Sequence, residues 1–163
     1  IESEVDLAAW RLNIGGIPGR TSDLVLTMDD IQRLPRSEHV TEFKCIEGWS
    51  TIVQWTGPKF SDLVAAFTPW NSPEEMPPYV SLATPDGGYF VGWDTPSIMH
   101  PQTLLVYEMN GEVLTSNHGA PLRLASPTKY GIKQLKRIGR IDFMNERPQD
   151  YWANEGYDWY SGL

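Results

Sequence analysis

The spacing of apolar and polar side chains at the start of the chain predicts two strands and a short helix. The stretch AAWRLNIGG alternates as a half-buried strand does and ends at two glycines. The following IPGRTSDLVLTMDDIQRLP predicts a turn, a second strand and a helix. Thr27 and Asp30 resemble a capping box at the start of that helix, and Pro35 is expected to end it.

Short apolar runs farther along predict more strands than helices. A strand is expected from about His39 to Ile46, and SDLVAAF predicts a short helix capped by Ser61. Later strands are expected in YVSLAT, YFVGW, LLVYEM and EVLT, the last two joined by a hairpin at Asn110 and Gly111. We interpret the C-terminal DYWANEGYDWYSG as a cover strand or loop without a chemical role. The pattern as a whole predicts an α+β fold, mostly mixed β-sheet with short helices.

Length and composition favour a single domain over residues 1–163. The 163 residues are 40% hydrophobic, enough to bury a core without disulfides or zinc. One cysteine excludes an internal disulfide and a cysteine-rich zinc site, and no stretch approaches the roughly 20 apolar residues of a membrane helix. His39, His100 and His118 lack a short ligand spacing, and the nucleophile-elbow and phosphate-binding glycine motifs are absent, so zinc enzymes, hydrolases and nucleotide-binding folds are disfavoured.

Charge is unevenly distributed along the chain. The net charge of −8 argues against nucleic acid as a partner, because phosphate backbones require a basic surface. From Val113 to Ile141, however, there is no Asp or Glu, and this segment carries nearly half of all the Lys and Arg residues. Its cations are Arg123, Lys129, Lys133, Lys136, Arg137 and Arg140. Two interpretations stay open, a solvated basic face and a site for a small anion such as phosphate.

The lone cysteine, Cys45, lies in KCIEGWSTIVQWTG. A lone cysteine is most often a small hydrophobe that fills a core gap. Here it is close in sequence to Lys44, Glu47 and Ser50, a mixture more typical of a site than of a dry core. A thiolate combined with a phosphate pocket would suggest a metal carried on a phosphorylated organic cofactor.

Four ordered blocks carry a family resemblance. KCIEGWSTIVQWTG, HPQTLLVYEMNGEVL, HGAPLRL and KYGIKQLKRI resemble, in this order, the molybdopterin-dependent sulfite oxidase superfamily. The resemblance runs from about Trp10 to the C-terminus, and the branch it resembles most is that of the catalytic subunits of periplasmic methionine sulfoxide reductases. It implies a sulfite-oxidase-type molybdopterin-binding fold with molybdenum and molybdopterin as cofactors.

The resemblance also implies roles for individual residues. Cys45 would bind the molybdenum through its thiolate, and Glu47 would be an acidic residue near the metal. The residues that match cofactor contacts are Thr84, His118, Arg123, Gly131, Lys133 and Lys136, with Arg123 matching the phosphate-binding arginine. Glu47 would repel sulfite, so reduction of a small-molecule S-oxide or N-oxide is expected. The alternatives are a sulfite dehydrogenase or oxidase and a non-catalytic pterin-binding module.

Partners and location follow from the same resemblance. No counterpart of the sulfite oxidases' dimerisation domain is found in the sequence, so a monomer is expected. A separate electron-transfer partner, either a haem protein or a quinone-linked subunit, would supply electrons. The related branch is exported by the twin-arginine route, which implies a periplasmic or otherwise extracytoplasmic location.

Overall fold

The computed structural model describes residues 8–44, 48, 50–127, 129, 133–156 and 158–160. Strands dominate, which confirms the predicted α+β class. The strands are β1 Leu12–Gly15, β2 Leu24–Leu26, β3 Ser37–Lys44, β4 Ser50–Gly57, β5 Tyr79–Ala83, β6 Phe90–Asp94, β7 Leu104–Val106, β8 Glu108–Met109, β9 Glu112–Val113, β10 Arg123–Ala125 and β11 Arg140–Met144. The α-helices are α1 Met28–Gln32, α2 Phe60–Phe67, α3 Thr95–Ile98 and α4 Tyr151–Asn154.

Three sheets organise these strands. The five-stranded sheet has the order β2-β1-β11-β5-β6, in which β1 and β11 run parallel and the other neighbours run antiparallel. A four-stranded antiparallel sheet has the order β3-β4-β8-β9, and β10 pairs antiparallel with β7. The parallel pairing of β1 with β11 brings the residues before each strand to the same end of the sheet.

Local sequence signals set several of the boundaries. The capping box at α1 is present: the Thr27 hydroxyl accepts from the Asp30 amide, and the Asp30 carboxylate accepts from the Thr27 amide. The hairpin between β8 and β9 is also as predicted, with Asn110 and Gly111 both at positive φ. The prediction of Ser61 as a cap is wrong, because α2 starts at Phe60 and Lys59 occupies the cap position without a side-chain hydrogen bond.

Two apolar clusters form the core of the described part of the chain. The larger one lies between the five-stranded sheet and helices α1 and α2, which contribute Ile31, Phe60 and Leu63. The smaller one joins Trp55 of β4 to Leu104 and Val106 of β7. No helix among the described residues is long and apolar enough to cross a membrane.

The C-terminal segment covers one edge of the larger core. Instead of a strand it contains the short helix α4, followed by the buried Trp159. The indole Nε1 of Trp159 donates to the Pro148 carbonyl at 2.9 Å, and its ring packs edge-on against Tyr79. A Cβ on Gly92 would lie 2.7 Å from the Trp159 ring, so this segment docks on β6 only because that position is glycine.

The start of β11 is where the candidate site begins. Trp10 donates its indole N–H to the Ile138 carbonyl at 2.9 Å, and Gly139 donates its amide to the Ala83 carbonyl at 2.9 Å. A Cβ on Gly139 would lie 2.6 Å from the Cα of Pro85. The turn after β5 and the segment before β11 are therefore in direct contact.

Candidate functional site

Arg123 is a buried cation without a counter-ion among the described residues. It lies on β10, is 7% exposed, and stacks its guanidinium over the Trp55 ring at 4.6 Å. Its Nη1 donates to the His118 carbonyl at a long 3.4 Å, and its Nε has no hydrogen-bond partner within the described ranges. Burial lowers the pKa of Arg123 to about 10, which still leaves it protonated at neutral pH. A buried charge in this state is stabilised by an anion.

Two more cations contact the turn at 116–120. Lys136 donates to the Asn117 carbonyl at 3.4 Å. Arg137 donates from Nε to the Ala120 carbonyl at 3.0 Å and from Nη2 to the Ser116 carbonyl at 3.1 Å. Neutral carbonyls are the partners of both side chains, so their positive charge is not cancelled by these contacts. The turn and three cationic side chains therefore form one electropositive cluster, which we call the cationic cluster: Arg123, Lys136 and Arg137.

Glycine allows this close approach. Gly119, which follows the 310 turn Ser116–His118, has φ +100° and lies against the backbone of the opposite segment. A Cβ on Gly119 would lie 3.0 Å from the amide nitrogen of Arg137 and 3.0 Å from the Cβ of Lys136. The His118 imidazole is half-buried beside the turn and makes no hydrogen bond to any described residue.

Lys133, which the sequence suggests as a cofactor contact, is held in a buried ion pair. Its side chain is 0% exposed, and its ammonium donates to Asp150 at 2.5 Å and to the Gly92 carbonyl at 2.7 Å. The Trp159 ring covers it at 4.4 Å. These contacts already satisfy the charge, so in this arrangement the ammonium is not available to a phosphate.

The two remaining cations of the acid-free segment are also paired. Lys129 lies 2.7 Å from the Asp94 carboxylate. Arg140 contacts Asp23 at 2.6 Å and Asp142 at 2.7 Å. Half of the six cations are thus neutralised by carboxylates from elsewhere in the chain, and the other half form the cationic cluster.

Thr84 lies in the turn between β5 and β6. Its hydroxyl donates to Asp86 at 2.6 Å and accepts from the Tyr89 amide at 3.2 Å. The hydrogen bond from Thr84 and, less strongly, the charge of Arg137 lower the pKa of Asp86. The turn therefore flanks the cationic cluster, although its hydroxyl is already hydrogen-bonded within the turn.

Three of the candidate residues, Cys45, Glu47 and Gly131, lie outside the described residues. Strands β3 and β4 pair up to Lys44 and Ser50, so the segment that contains Cys45 and Glu47 connects the end of one to the start of the other. Among the described residues, no group of three or more His, Cys, Asp or Glu is placed to hold a metal.

A surface cleft of about 550 Å³ lies apart from the cationic cluster. It is lined by residues 16–20, Trp70, Met76 and Asn145, at the C-terminal ends of β1 and β11. The cationic cluster adjoins the segment before β11, at the opposite end of the sheet. The cleft is therefore separate from the cluster.

Sequence reasoning missed three residues around the cluster. No sequence signal separates Arg137 from the other cations of the acid-free segment, and only its contacts distinguish it from Arg140. Trp55, under the Arg123 guanidinium, and Asp150, the partner of Lys133, had no local signal. Their roles depend on contacts across 68 and 17 positions of sequence, respectively.

Comparison with known proteins assigns the chain to a family. A family model described as the oxidoreductase molybdopterin binding domain matches residues 1–152. One relative, from Azospira oryzae, is provisionally named protein-methionine-sulfoxide reductase subunit YedZ1. It is 34% identical over 98% of this chain and 58% of that protein. The protein-methionine-sulfoxide reductase catalytic subunit MsrP of Campylobacter jejuni is 32% identical over 94% of this chain and 56% of that protein. The chain spans little more than half the length of these curated relatives.

A solved structure confirms the fold. The sulfane dehydrogenase SoxCD from Paracoccus pantotrophus superposes with a TM-score of 0.73 at 22% identity, over 89% of this chain and 40% of that chain. The sulfite-oxidase-type molybdopterin-binding fold expected from the four sequence blocks is the fold observed.

Proposed function

The chain belongs to the family of oxidoreductase molybdopterin-binding domains, and from this premise we propose that it is a mononuclear molybdenum enzyme that reduces an S-oxide or N-oxide by oxo transfer. The observation that carries the proposal is Arg123, a buried guanidinium whose Nε is unpaired and whose charge no described carboxylate neutralises. The phosphate of molybdopterin is an anion of the right chemistry to occupy this position, because a planar guanidinium donates to phosphate oxygens in pairs.

The phosphate contact extends over the cationic cluster. Lys136 is exposed and within reach of the same turn, and its three donors can turn from the Asn117 carbonyl toward a phosphate. Arg137 holds the turn through two carbonyls and so fixes the backbone that faces the anion. Thr84, His118 and Gly131 remain proposed cofactor contacts, with the His118 ring offering a donor or an acceptor that no described residue uses.

The reaction needs two electrons and two protons for each oxide, and it releases the reduced sulfur or nitrogen compound and water. When bound, molybdenum on molybdopterin supplies the oxygen-atom transfer. Cys45 would hold the metal, because a soft anionic thiolate suits a metal that cycles between high oxidation states. Glu47 would disfavour anionic substrates by repulsion and could deliver a proton that the reduction consumes.

The substrate and partners follow from the relatives as proposals for this chain. Both relatives reported above are named as protein-methionine-sulfoxide reductase subunits, which favours an S-oxide over an N-oxide. Their names as subunits favour a separate electron-transfer partner, such as a haem protein or a quinone-linked subunit. We propose a monomeric catalytic chain, in a periplasmic or otherwise extracytoplasmic location and exported by the twin-arginine route.

Metal content and a substrate panel test the proposal. Protein made in a host that synthesises molybdopterin should contain about one molybdenum per chain. It should turn over neutral sulfoxides faster than sulfite. Cys45→Ser should fold and lose turnover, whereas Ser50→Ala in the same sequence block should keep it. A folded, molybdenum-loaded Cys45→Ser protein with unchanged turnover would contradict the role of the thiolate. Preference for sulfite over every neutral oxide would contradict the reductase assignment.

A further inference from the structure

The buried ion pair of Lys133 and Asp150 joins two parts of the chain. Asp150 is 1% exposed, and its Oδ2 accepts from the Lys133 ammonium at 2.5 Å and from the Gly92 amide at 2.9 Å. Its Oδ1 accepts from the Ala153 amide at 3.1 Å, at the start of α4. One carboxylate therefore ties the C-terminal segment to β6 and to the residues that lead into the cationic cluster.

The C-terminal segment closes over this ion pair. The centroid of the Trp159 ring lies 4.4 Å from the Lys133 ammonium and 4.4 Å from the Arg147 guanidinium. Burial lowers the pKa of Lys133, and the hydrogen bond and charge of Asp150 oppose that effect. Without the carboxylate, the ammonium would be a buried charge with only a carbonyl and an indole face as partners.

The residues after Lys133 run directly into the cationic cluster. The Lys133 carbonyl accepts from the Trp93 indole at 3.0 Å, and the Leu135 carbonyl accepts from the Leu124 amide at 2.9 Å. Ile138 then donates its amide to the Leu122 carbonyl at 2.9 Å. Lys136 follows Lys133 by three positions, which is about 10 Å of extended chain at most. We therefore expect a displacement of Lys133 to shift Lys136, because only two residues separate them.

We infer that Asp150 is a positioning residue for the cofactor's phosphate: by fixing Lys133 it holds residues 133–138 in the register that places Lys136 and Arg137 on the 116–120 turn. The inference rests on the proposed function, in which the cationic cluster binds that phosphate. It gives the C-terminal segment a role in cofactor retention beyond covering the core, and it gives Lys133 an indirect role in place of a phosphate contact.

The rate at which bound pterin is released tests this inference independently of turnover. Holoenzyme is diluted into buffer, and the released pterin is followed by its fluorescence after oxidation. Asp150→Asn keeps the size of the side chain and removes its charge, and we expect it to release pterin about tenfold faster than the wild type, as losses of supporting contacts around bound cofactors commonly do. Leu63→Ala, in α2 of the larger core, is the control for general loss of stability, compared at the same interval below its own Tm.

The variant Arg123→Met distinguishes a failure of the proposed phosphate site from a failure of the positioning role of Asp150. Faster release from both Arg123→Met and Asp150→Asn, with Leu63→Ala near the wild type, supports the positioning role. Fast release from Arg123→Met with Asp150→Asn no faster than Leu63→Ala overturns the positioning role and leaves the phosphate site standing. Wild-type release from Arg123→Met overturns the phosphate site, and the positioning role with it. Should Asp150→Asn not fold, Asp150→Glu, which keeps the charge but shifts it by one methylene group, is judged by the same comparison.

Discussion

Replacement of Arg123 by methionine should change cofactor affinity and apoprotein stability in opposite directions. Methionine keeps an unbranched side chain that can pack on Trp55, but it has no charge and no N–H donors. In the cofactor-bound protein the change removes a charge-assisted contact to phosphate. In the apoprotein it removes a buried charge that has no carboxylate partner among the described residues.

The two magnitudes come from the contacts of the guanidinium. A hydrogen bond to a charged group is worth about 1.5–3 kcal/mol, which corresponds to roughly a 10- to 150-fold loss of cofactor affinity. In the apoprotein the loss is the stacking on Trp55, about 0.5–2 kcal/mol, and a weak bond to the His118 carbonyl. Against this stands the relief of several kcal/mol of desolvation for a buried ion. The apoprotein should therefore be as stable as the wild type or more stable.

The assay combines metal analysis with thermal unfolding. Molybdenum and pterin per chain are measured after purification, and Tm is measured on cofactor-free protein. Arg140→Met is the matched control, because Arg140 comes from the same segment but is 42% exposed and paired with Asp23 and Asp142. It should keep full cofactor and lose at most about 1 kcal/mol of stability.

The reverse pattern would contradict an anion-binding role for Arg123. If Arg123→Met protein retains its full cofactor while the apoprotein loses as much stability as a core truncation, about 2–5 kcal/mol, then the guanidinium serves packing and the anion site lies elsewhere.

Three further predictions concern charge. Lys133→Met should lower the free energy of unfolding by about 3–5 kcal/mol in a denaturant titration, because it leaves Asp150 buried without its cation; a loss below 1 kcal/mol would show that the pair is not needed for stability. Burial favours a raised pKa for Asp94, but its contacts with Lys129 and Ser97 outweigh burial, so the pKa is lowered. The ionised carboxylate therefore stabilises the fold above the ordinary Asp pKa of about 4. This contribution is lost as the pH falls through the lowered pKa. Asp94→Asn should flatten that part of the Tm profile between about pH 2 and 6, and parallel profiles for the two proteins would contradict this. Glu47→Gln should lower the KM for sulfite and leave the KM for a neutral sulfoxide unchanged, with a gain that shrinks as ionic strength rises; equal effects on both substrates would remove the electrostatic role.

Features that depend on neighbours in sequence were predicted well. The capping box at Thr27 and the hairpin at Asn110 and Gly111 need only residues within a few positions of one another, and both are present. Ser61 was wrongly predicted as the cap of α2, because local propensity favours serine over lysine at a cap. The helix starts at Phe60, whose side chain is fully buried and whose amide donates to the distant Thr103 carbonyl at 2.9 Å. The C-terminal cover was predicted as a strand or loop, whereas aromatic packing holds it as a short helix and a buried indole.

By itself, the sequence determined the fold class, the family blocks and the existence of an acid-free cationic segment. It could not determine which of the six cations are free to bind an anion. Lys129, Lys133 and Arg140 are neutralised by carboxylates that lie between 2 and 117 positions away, whereas Arg123 is buried against Trp55 with no carboxylate partner in the described part of the chain. Charge state and solvation depend on which groups are within a few ångströms in space, and only the tertiary structure sets those distances.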